Sequence, residues 1–230
     1  MVTALFLYSK FAGWSGTSLF DSFILTGYNT IYTFLPPIFF AFLDADLTPR
    51  QALAHPHLYR PGPLGERLNA LQLATWALNG AAHCAFALLV PLLASSRRGG
   101  AAGGDLGALG TATMCAIAVG TNVRLVLEMR SVTVLSCVAF GVSVGGFFAW
   151  AALLEGTWAA LGVGDAYYGV ASATFHSPAM ALSVLASVVC MAAYDAAMIY
   201  AHRDLFPDPT YVVQEAVRDL GPPAGGAGSA

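Results

Sequence analysis

Several polar side chains lie within an apolar run that is long enough to cross a membrane. Asn29, Thr30 and Thr33 fall inside the run Phe23–Leu43, where hydroxyl and amide groups have no water to bond. An amide offers both donors and an acceptor, so Asn29 can bond a neighbouring helix, a water molecule or a polar ligand group. Two interpretations remain open from these residues alone: the side chains hold helices together, or they line a transport path.

A Pro-Pro pair follows these polar residues in the same run. Pro36 and Pro37 have no N–H to donate to the carbonyls one turn earlier, at Tyr32 and Thr33, and their rings clash with that turn. The pair therefore predicts a kink, with free carbonyl acceptors that must find partners elsewhere.

The histidines and cysteines give no sign of a metal site. The four cysteines each fall in a different apolar run, without the close pairing of a zinc or redox motif, and we interpret them as small core residues. His55 and His57 lie in a loop with no carboxylate or cysteine at ligand spacing. We therefore expect no metal ligand in this chain.

Charged residues elsewhere in the apolar runs are interpreted as structural. Arg124 and Glu128 are four residues apart, on one helical face, and can pair, with Asn122 half a turn before them. His83 is expected to bond a neighbouring helix rather than to relay protons. Asp195 lies about a turn and a half before the end of the last run, where it snorkels or meets a basic partner.

The composition indicates that lipid surrounds most of the chain. Hydrophobic residues make up 57% of the sequence and charged residues 10%, and the mean hydropathy is +0.66. Ordinary soluble domains carry far more charge. A formal charge of -3, and the lack of a basic run interleaved with aromatic residues, argue against a nucleic-acid partner.

Apolar runs of membrane-crossing length recur along the sequence. A helix rising ~1.5 Å per residue needs ~20 residues to cross the hydrocarbon. Five runs are long enough: Phe23–Leu43, Leu71–Leu93, Leu106–Leu127, Val132–Leu154 and Pro178–Tyr200. A shorter run, Met1–Trp14, is expected to be the end of a helix whose beginning is missing. The predicted fold class is all-α, a polytopic helical membrane bundle with five full transmembrane helices and the end of a sixth.

Small residues at four-residue spacing recur within these runs. Gly141 and Gly145 form one such pair, and Ser183 and Ser187 form another. Such pairs let helices approach closely, so they predict tight helix packing without defining the arrangement of the bundle.

The arginines predict the orientation. When the segment after Leu43 is placed in the cytosol, only Arg97 and Arg98 among the arginines lie outside. Residues 1–200 then form the membrane domain. Residues 201–230 form a cytosolic tail, with a short amphipathic helix capped by Asp208 and a disordered Gly-rich end.

The run that carries Asn29 belongs to a series of short motifs, which are Trp14-Ser15-Gly16, Leu19-Phe20-Asp21, Tyr28-Asn29-Thr30, Phe34-Leu35-Pro36 and Asp44-Ala45-Asp46. In order and spacing, this series resembles the C-terminal membrane region of the type-IV P-type ATPases, the lipid-flipping branch of that family. These stretches correspond to the family's turn before the sixth span, a Tyr-Asp step, a Tyr-Asn within that span, a Leu-Pro near its end and an Asp-x-Asp after it. Thr17 stands where the family usually has Gln.

Weaker likenesses extend the resemblance over residues 1–218. They include the loop His55–Gly62, the run Trp76–Pro91 as the seventh span, the Ser177-Pro178 start of the last span, and Phe206-Pro207 in the tail. The Trp that the family has between the positions of Glu128 and Thr133 is absent.

The resemblance implies an ATP-driven flippase that moves phospholipid from the exoplasmic to the cytosolic leaflet. The phosphorylated Asp motif and the nucleotide-binding and actuator domains of such pumps have no counterpart in this sequence, so we expect a fragment of the pump. ATP and magnesium are then bound by the missing domains, and no cofactor or catalytic residue is expected here. Because the family's lipid groove runs beside spans four to six, the expected substrate-binding residues are Asn29 and, second, Thr33.

The same resemblance implies the partners and the location. Besides phospholipid, we expect the remainder of the ATPase chain and a two-span accessory β-subunit, and no nucleic acid. The expected location is the plasma membrane or an endomembrane (Golgi or endosome) of a eukaryote, with the protein crossing several times and the C-terminus in the cytosol. The alternative is a stand-alone helical carrier or channel that uses its own polar span without ATP.

Overall fold

The structure, a computed structural model, describes residues 1–45, 69–96, 106–161 and 169–205, together with Leu53 and Pro56. The described residues are almost entirely helical, which confirms the all-α fold class. In chain order the elements are α1 (Val2–Phe11), α2 (Ser22–Gly27), a π-helical segment (Tyr28–Tyr32), α3 (Leu35–Leu43), α4 (Ala70–Ser96), α5 (Leu106–Glu128), α6 (Val134–Leu161), α7 (Val170–His176) and α8 (Pro178–Leu205).

The number of continuous spans differs from the prediction. Within the described residues, four helices are long and apolar enough to cross a membrane, namely α4, α5, α6 and α8, and α1 is a shorter apolar helix. The run Phe23–Leu43, expected as one full span, is divided into α2, the π-helical segment and α3. We call residues 22–43 the broken span. The short helix α7 had no sequence-based prediction.

The break lies where the Pro-Pro pair predicts it. The π-helical segment ends at Tyr32, Thr33 leaves the helical conformation with φ -132° and ψ 5°, and α3 then restarts with both prolines in its first turn. Proline is well suited to that position because the first N–H groups of a helix have no partner within it. The predicted kink is therefore confirmed, and its cause is the missing N–H of Pro36.

The helix α5 lies at the centre of the bundle. It packs against α4 and α8 on one side and against α6, α7 and the broken span on the other. Its buried positions are mostly Gly, Ala, Thr and Cys, and such small side chains let several helices approach one helix at once. At Gly120, an added Cβ would meet the side chain of Met191 on α8, so this contact depends on the missing side chain.

The short connections fix the ends of the broken span. Asp21 caps α2, because its Oδ1 accepts hydrogen bonds from the backbone N–H groups of Phe23 at 2.8 Å and Ile24 at 3.4 Å. At the other end Asp44 lies against the connection between α5 and α6. We call these two ends of the bundle the Asp21 end and the Asp44 end.

The small-residue pairs have different outcomes. Ser183 and Ser187 are buried on one face of α8, as tight packing predicts. Nothing lies within 4 Å of a Cβ built at Gly141 or Gly145, so the predicted close approach at that pair is wrong for the described part of the chain. The predictions for His55, for His57 and for the tail helix capped by Asp208 lie outside the described residues.

The close approach of α5 to the start of the broken span gives a stability prediction. A Cβ at Gly110 would meet the backbone carbonyl oxygen of Leu19, which cannot rotate away. We expect Gly110→Ala to lower the free energy of unfolding by about 1–3 kcal/mol through overpacking. The matched change Gly141→Ala meets open space and should be neutral or stabilising by up to about 1 kcal/mol. Thermal unfolding of both variants in detergent checks this, and equal midpoints would contradict it.

Candidate functional site

The broken span presents a row of polar side chains on its exposed face. We call this row, Ser22, Thr26, Asn29, Thr30 and Thr33, the polar stripe. Thr33 is half-buried and the other four are exposed. The opposite face of the span carries buried Ile24, Gly27 and Tyr32. The apolar side chains on that face pack against the bundle, and the polar stripe faces outward together with exposed Phe23, Phe34 and Phe42.

The threonine hydroxyl groups of the polar stripe are already bonded to the span itself. Thr26 Oγ1 donates to the carbonyl of Ser22 at 2.8 Å, and Thr30 Oγ1 donates to that of Thr26 at 3.2 Å. Thr33 Oγ1 donates to the carbonyl of Tyr28 at 2.8 Å, across five residues, as the wider π-helical turn allows. A hydroxyl has one proton, so each of these threonines can offer a ligand only an acceptor.

Asn29 differs from the threonines of the stripe. Its side chain is exposed and makes no hydrogen bond with the described residues. Both amide protons and the amide oxygen are therefore available to a ligand at one point of the stripe. Of the two substrate-binding residues that the sequence predicts, Asn29 has its full bonding capacity, and Thr33 retains an acceptor only.

The carbonyl group that Pro36 leaves without a donor is bonded by two other helices. Tyr32 O accepts from Nδ2 of Asn122 on α5 at 3.1 Å, and it also accepts from Oγ of Ser143 on α6. Asn122 uses its second amide proton on the carbonyl of Ala118 at 2.8 Å. The prediction that this free acceptor must find a partner is confirmed, and the partners lie on α5 and α6.

Two further contacts tie the broken span to α6 and the connection before it. Near the Asp21 end, Trp150 Nε1 donates to the carbonyl of Phe23 at 3.1 Å. At the Asp44 end, Asp44 Oδ1 accepts from the backbone N–H groups of Arg130 at 2.9 Å and Ser131 at 2.8 Å. Successive N–H groups that converge on one oxygen form an anion-binding nest, and here the chain's own carboxylate fills it.

The packing around the break is tight on the α6 side. The ring of Phe147 meets the ring of Tyr32 edge-on, with centroids 5.0 Å apart, and both side chains are fully buried. Gly146 has no side chain where Ile31 approaches, since an added Cβ would lie 2.8 Å from Ile31 Cγ2. This face of α6 is therefore shaped to the π-helical segment.

A second polar group links α4, α5 and α8. Arg124 pairs with Glu128 at 3.1 Å, as their spacing predicts, and also with Asp195 Oδ1 at 3.2 Å. His83 Nε2 lies 2.8 Å from the same oxygen, which confirms the expected bond to a neighbouring helix. The guanidinium of Arg124 is 5.2 Å from the ring centroid of Trp76. We call these five residues the Arg124 cluster.

The geometry of the Arg124 cluster indicates a structural role. Asp195 Oδ1 lies 2.8 Å from His83 Nε2 and 3.2 Å from Arg124 Nη1, so one carboxylate oxygen joins α4, α5 and α8. The prediction of a basic partner for Asp195 is confirmed. The buried Oδ2 atom of Asp195 has no hydrogen-bond partner among the described residues. Within the described ranges, this cluster included, no group of three His, Cys, Asp or Glu side chains is placed to hold a metal ion.

Sequence reasoning did not find Ser143 or Trp150. Both lie in a run of apolar and small residues, and their partners are 111 and 127 residues away. The only available signal was indirect, because Pro36 requires some donor for the Tyr32 carbonyl without saying which one.

Comparisons with known proteins agree with the resemblance found in the sequence. Residues 1–208 match a family model described as "Phospholipid-translocating P-type ATPase C-terminal". Probable phospholipid-transporting ATPase 7 of Arabidopsis thaliana is 26% identical over 92% of this chain and 17% of its own length. Phospholipid-transporting ATPase C887.12 of Schizosaccharomyces pombe is 24% identical over 91% of this chain and 17% of its own length. A mouse protein, phospholipid-transporting ATPase VD, is 39% identical over 33% of this chain and 5% of its own length. The chain spans less than a fifth of the length of these relatives.

The Arg124 cluster predicts a difference between losing one charge and losing a pair. In Asp195→Leu the Arg124 guanidinium loses its deeply buried partner but keeps Glu128. We therefore expect the free energy of unfolding to fall, by less than the roughly 3–5 kcal/mol that breaking a fully buried pair costs. The double variant Asp195→Leu with Arg124→Met removes both charges and should recover a large part of that loss. Thermal unfolding of the single and double variants in detergent measures this coupling. Strictly additive losses would contradict the pairing.

Proposed function

The chain belongs to the phospholipid-translocating P-type ATPases, as part of their C-terminal region, and on that premise we propose that its broken span lines the path of a phospholipid headgroup. In this proposal the polar stripe faces the headgroup and Asn29 is the main contact. Thr33 contributes an acceptor. The chain is an integral membrane protein, and it supplies the membrane part of the transporter.

The amide of Asn29, which has no hydrogen-bond partner among the described residues, is the single observation that carries the proposal. In hydrocarbon, an amide without a hydrogen-bond partner costs several kcal/mol, on the order of 4–8 kcal/mol by transfer to cyclohexane. A span that exposes such a group therefore faces another polar group. A phosphodiester accepts from the amide protons and a headgroup amine donates to the amide oxygen, so one Asn suits both parts of a zwitterionic headgroup.

The threonines of the stripe support a path rather than a single closed site. Their hydroxyl protons are bonded along the span, so they present weak acceptors at successive turns instead of strong donors. Weak contacts of this kind allow a headgroup to leave one position for the next. Full charges at the same places would hold it and would carry a larger desolvation cost.

The remaining features of the proposed transporter come from the family. Lipid moves from the exoplasmic to the cytosolic leaflet, and ATP with magnesium acts on domains outside these residues. The chain works as part of a longer ATPase with a two-span accessory β-subunit, in the plasma membrane or an endomembrane of a eukaryote. Its Asp44 end and its C-terminus then face the cytosol. This chain itself supplies no catalytic residue.

Replacement of Asn29 tests the proposed contact. In the full-length gene product, we expect Asn29→Ala to raise the phospholipid concentration for half-maximal ATPase stimulation roughly tenfold, as for loss of a hydrogen bond to a charged group. Thr33→Val should raise this half-maximal concentration less than threefold, because the hydroxyl proton of Thr33 is bonded to the carbonyl of Tyr28. The control Thr75→Val alters an exposed threonine on α4 that is likewise bonded to its own helix, and it should change nothing.

Two outcomes would overturn the proposal. If the reading frame upstream of this sequence lacks an Asp-Lys-Thr-Gly motif, the ATPase assignment fails. If Asn29→Ala lowers the unfolding temperature but leaves the lipid dependence unchanged, Asn29 holds helices together and does not contact the substrate. Movement of a labelled lipid by the chain alone in liposomes, without nucleotide, would instead favour the stand-alone carrier.

A further inference from the structure

We propose that Ser143 and Trp150 of α6 are positioning residues, which set the direction in which the polar stripe of the broken span faces. The inference rests on the proposed function, since it concerns the residues that aim the headgroup contact. It goes beyond that function because Ser143 and Trp150 bond backbone carbonyls of the span rather than the side chains of the stripe.

A break in a helix removes the usual control over the direction of its side chains. In a continuous helix the i to i−4 bonds fix the angle between successive residues. Between Tyr32 and Leu35 that ladder is interrupted, so α3 no longer fixes the rotation of the segment before it. Asn29 lies on that segment, one turn before the break. Another part of the protein must therefore fix its direction.

The contacts to α6 lie where they can supply this control. Ser143 donates to the Tyr32 carbonyl at the break, and Trp150 donates to the Phe23 carbonyl at 3.1 Å. The two carbonyls are nine residues apart, and Asn29 lies between them. Two bonds at different heights, both to one rigid helix, prevent rotation of the intervening segment as well as its displacement.

The surroundings of Ser143 make its bond hard to replace. Ser143 and Tyr32 are fully buried, at 0% exposure, so water has no access to the carbonyl when the hydroxyl is removed. Asn122 remains bonded to the same carbonyl in that case, at 3.1 Å, so the break keeps one partner and the fold should persist. Ser143→Ala is therefore a mild change. It removes the hydrogen bond from α6 to the Tyr32 carbonyl and leaves the hydrogen bond from Asn122 on α5.

The Asp44 contact completes the arrangement without taking part in the aiming. It holds α3 through the backbone N–H groups of Arg130 and Ser131, on the far side of the break from Asn29. The connection that supplies these groups is itself fixed, because Thr133 and Ser136 exchange hydrogen bonds at the start of α6. α3 and α6 are thus held together at the Asp44 end. Ser143 and Trp150 fix the rotation of the part of the broken span that precedes the break.

The first measurement reports direction without relying on transport. Spin labels are placed on Asn29→Cys and on Val189→Cys, an exposed position of α8, in the full-length gene product without its native cysteines, reconstituted in nanodiscs. The distance distribution between the labels should broaden or shift in Ser143→Ala, and to a lesser degree in Trp150→Phe. The second change keeps an aromatic side chain but removes the indole N–H. The matched control is Ser187→Ala, because Ser187 is also fully buried and, among the described residues, its hydroxyl bonds only its own helix, at 2.8 Å to the carbonyl of Ser183.

The second measurement separates positioning from stability. In the full-length gene product, Ser143→Ala should raise the lipid concentration for half-maximal ATPase stimulation roughly three- to tenfold, with the maximal rate within about twofold of the parent. A merely destabilised protein would instead show a lower maximal rate at an unchanged half-maximal concentration, as Ser187→Ala is expected to do if it has any effect.

The outcomes distinguish this inference from the proposed function. An unchanged label distribution in folded Ser143→Ala and Trp150→Phe overturns the inference, even when Asn29→Ala alters the lipid dependence. A broadened distribution together with a raised half-maximal concentration supports it. A broadened distribution in a protein whose lipid dependence ignores both Asn29→Ala and Ser143→Ala supports the structural role of α6 and overturns the lipid-path assignment on which the inference rests.

Discussion

The amide hydrogen that Pro36 lacks is the constraint on which the rest of this half of the bundle depends. Its absence leaves the Tyr32 carbonyl without a donor in a place where water cannot serve. Side chains from two other helices donate hydrogen bonds to this carbonyl, namely Asn122 on α5 and Ser143 on α6. The break is therefore stable only with these two hydrogen-bond partners, and the neighbouring helices set the position of the broken span more than its own sequence does.

The sequence predicted the local parts of this arrangement well and the distant parts poorly. Pro36 predicted both the kink and the free carbonyl, and the four-residue spacing predicted the pair of Arg124 and Glu128, because both effects act within one turn of a helix. The partner of the carbonyl could not be predicted, since Ser143 lies 111 residues away and resembles other serines in its span. For the same reason Asp195 was recognised as needing a partner, while its bonds to His83 and Arg124 became clear only in the fold.

The two polar groups of the bundle use buried bonds in different ways. In the Arg124 cluster, polar and charged side chains on α4, α5 and α8 bond one another between the packed helices, which suits a part of the molecule that keeps its shape. In the polar stripe, the threonine hydroxyl protons are bonded within the span, and the amide of Asn29 makes no hydrogen bond with the described residues. The three-helix support is therefore built from charged side chains that bond across helices, whereas the exposed polar face is built from Ser, Thr and Asn side chains that do not.

The central position of α5 also bears on how the protein enters the membrane. Of the four continuous spans in the described ranges, α5 is the least hydrophobic and the most deeply buried, because its Gly, Ala and Thr residues serve packing rather than contact with lipid. Insertion of a helix from the translocon into lipid depends on the hydrophobicity of that helix. Of these four spans, α5 therefore has the lowest tendency to insert into lipid on its own. Its membrane integration is tied to the helices made before and after it, and its place at the centre is secured when α4, α6 and α8 close around it.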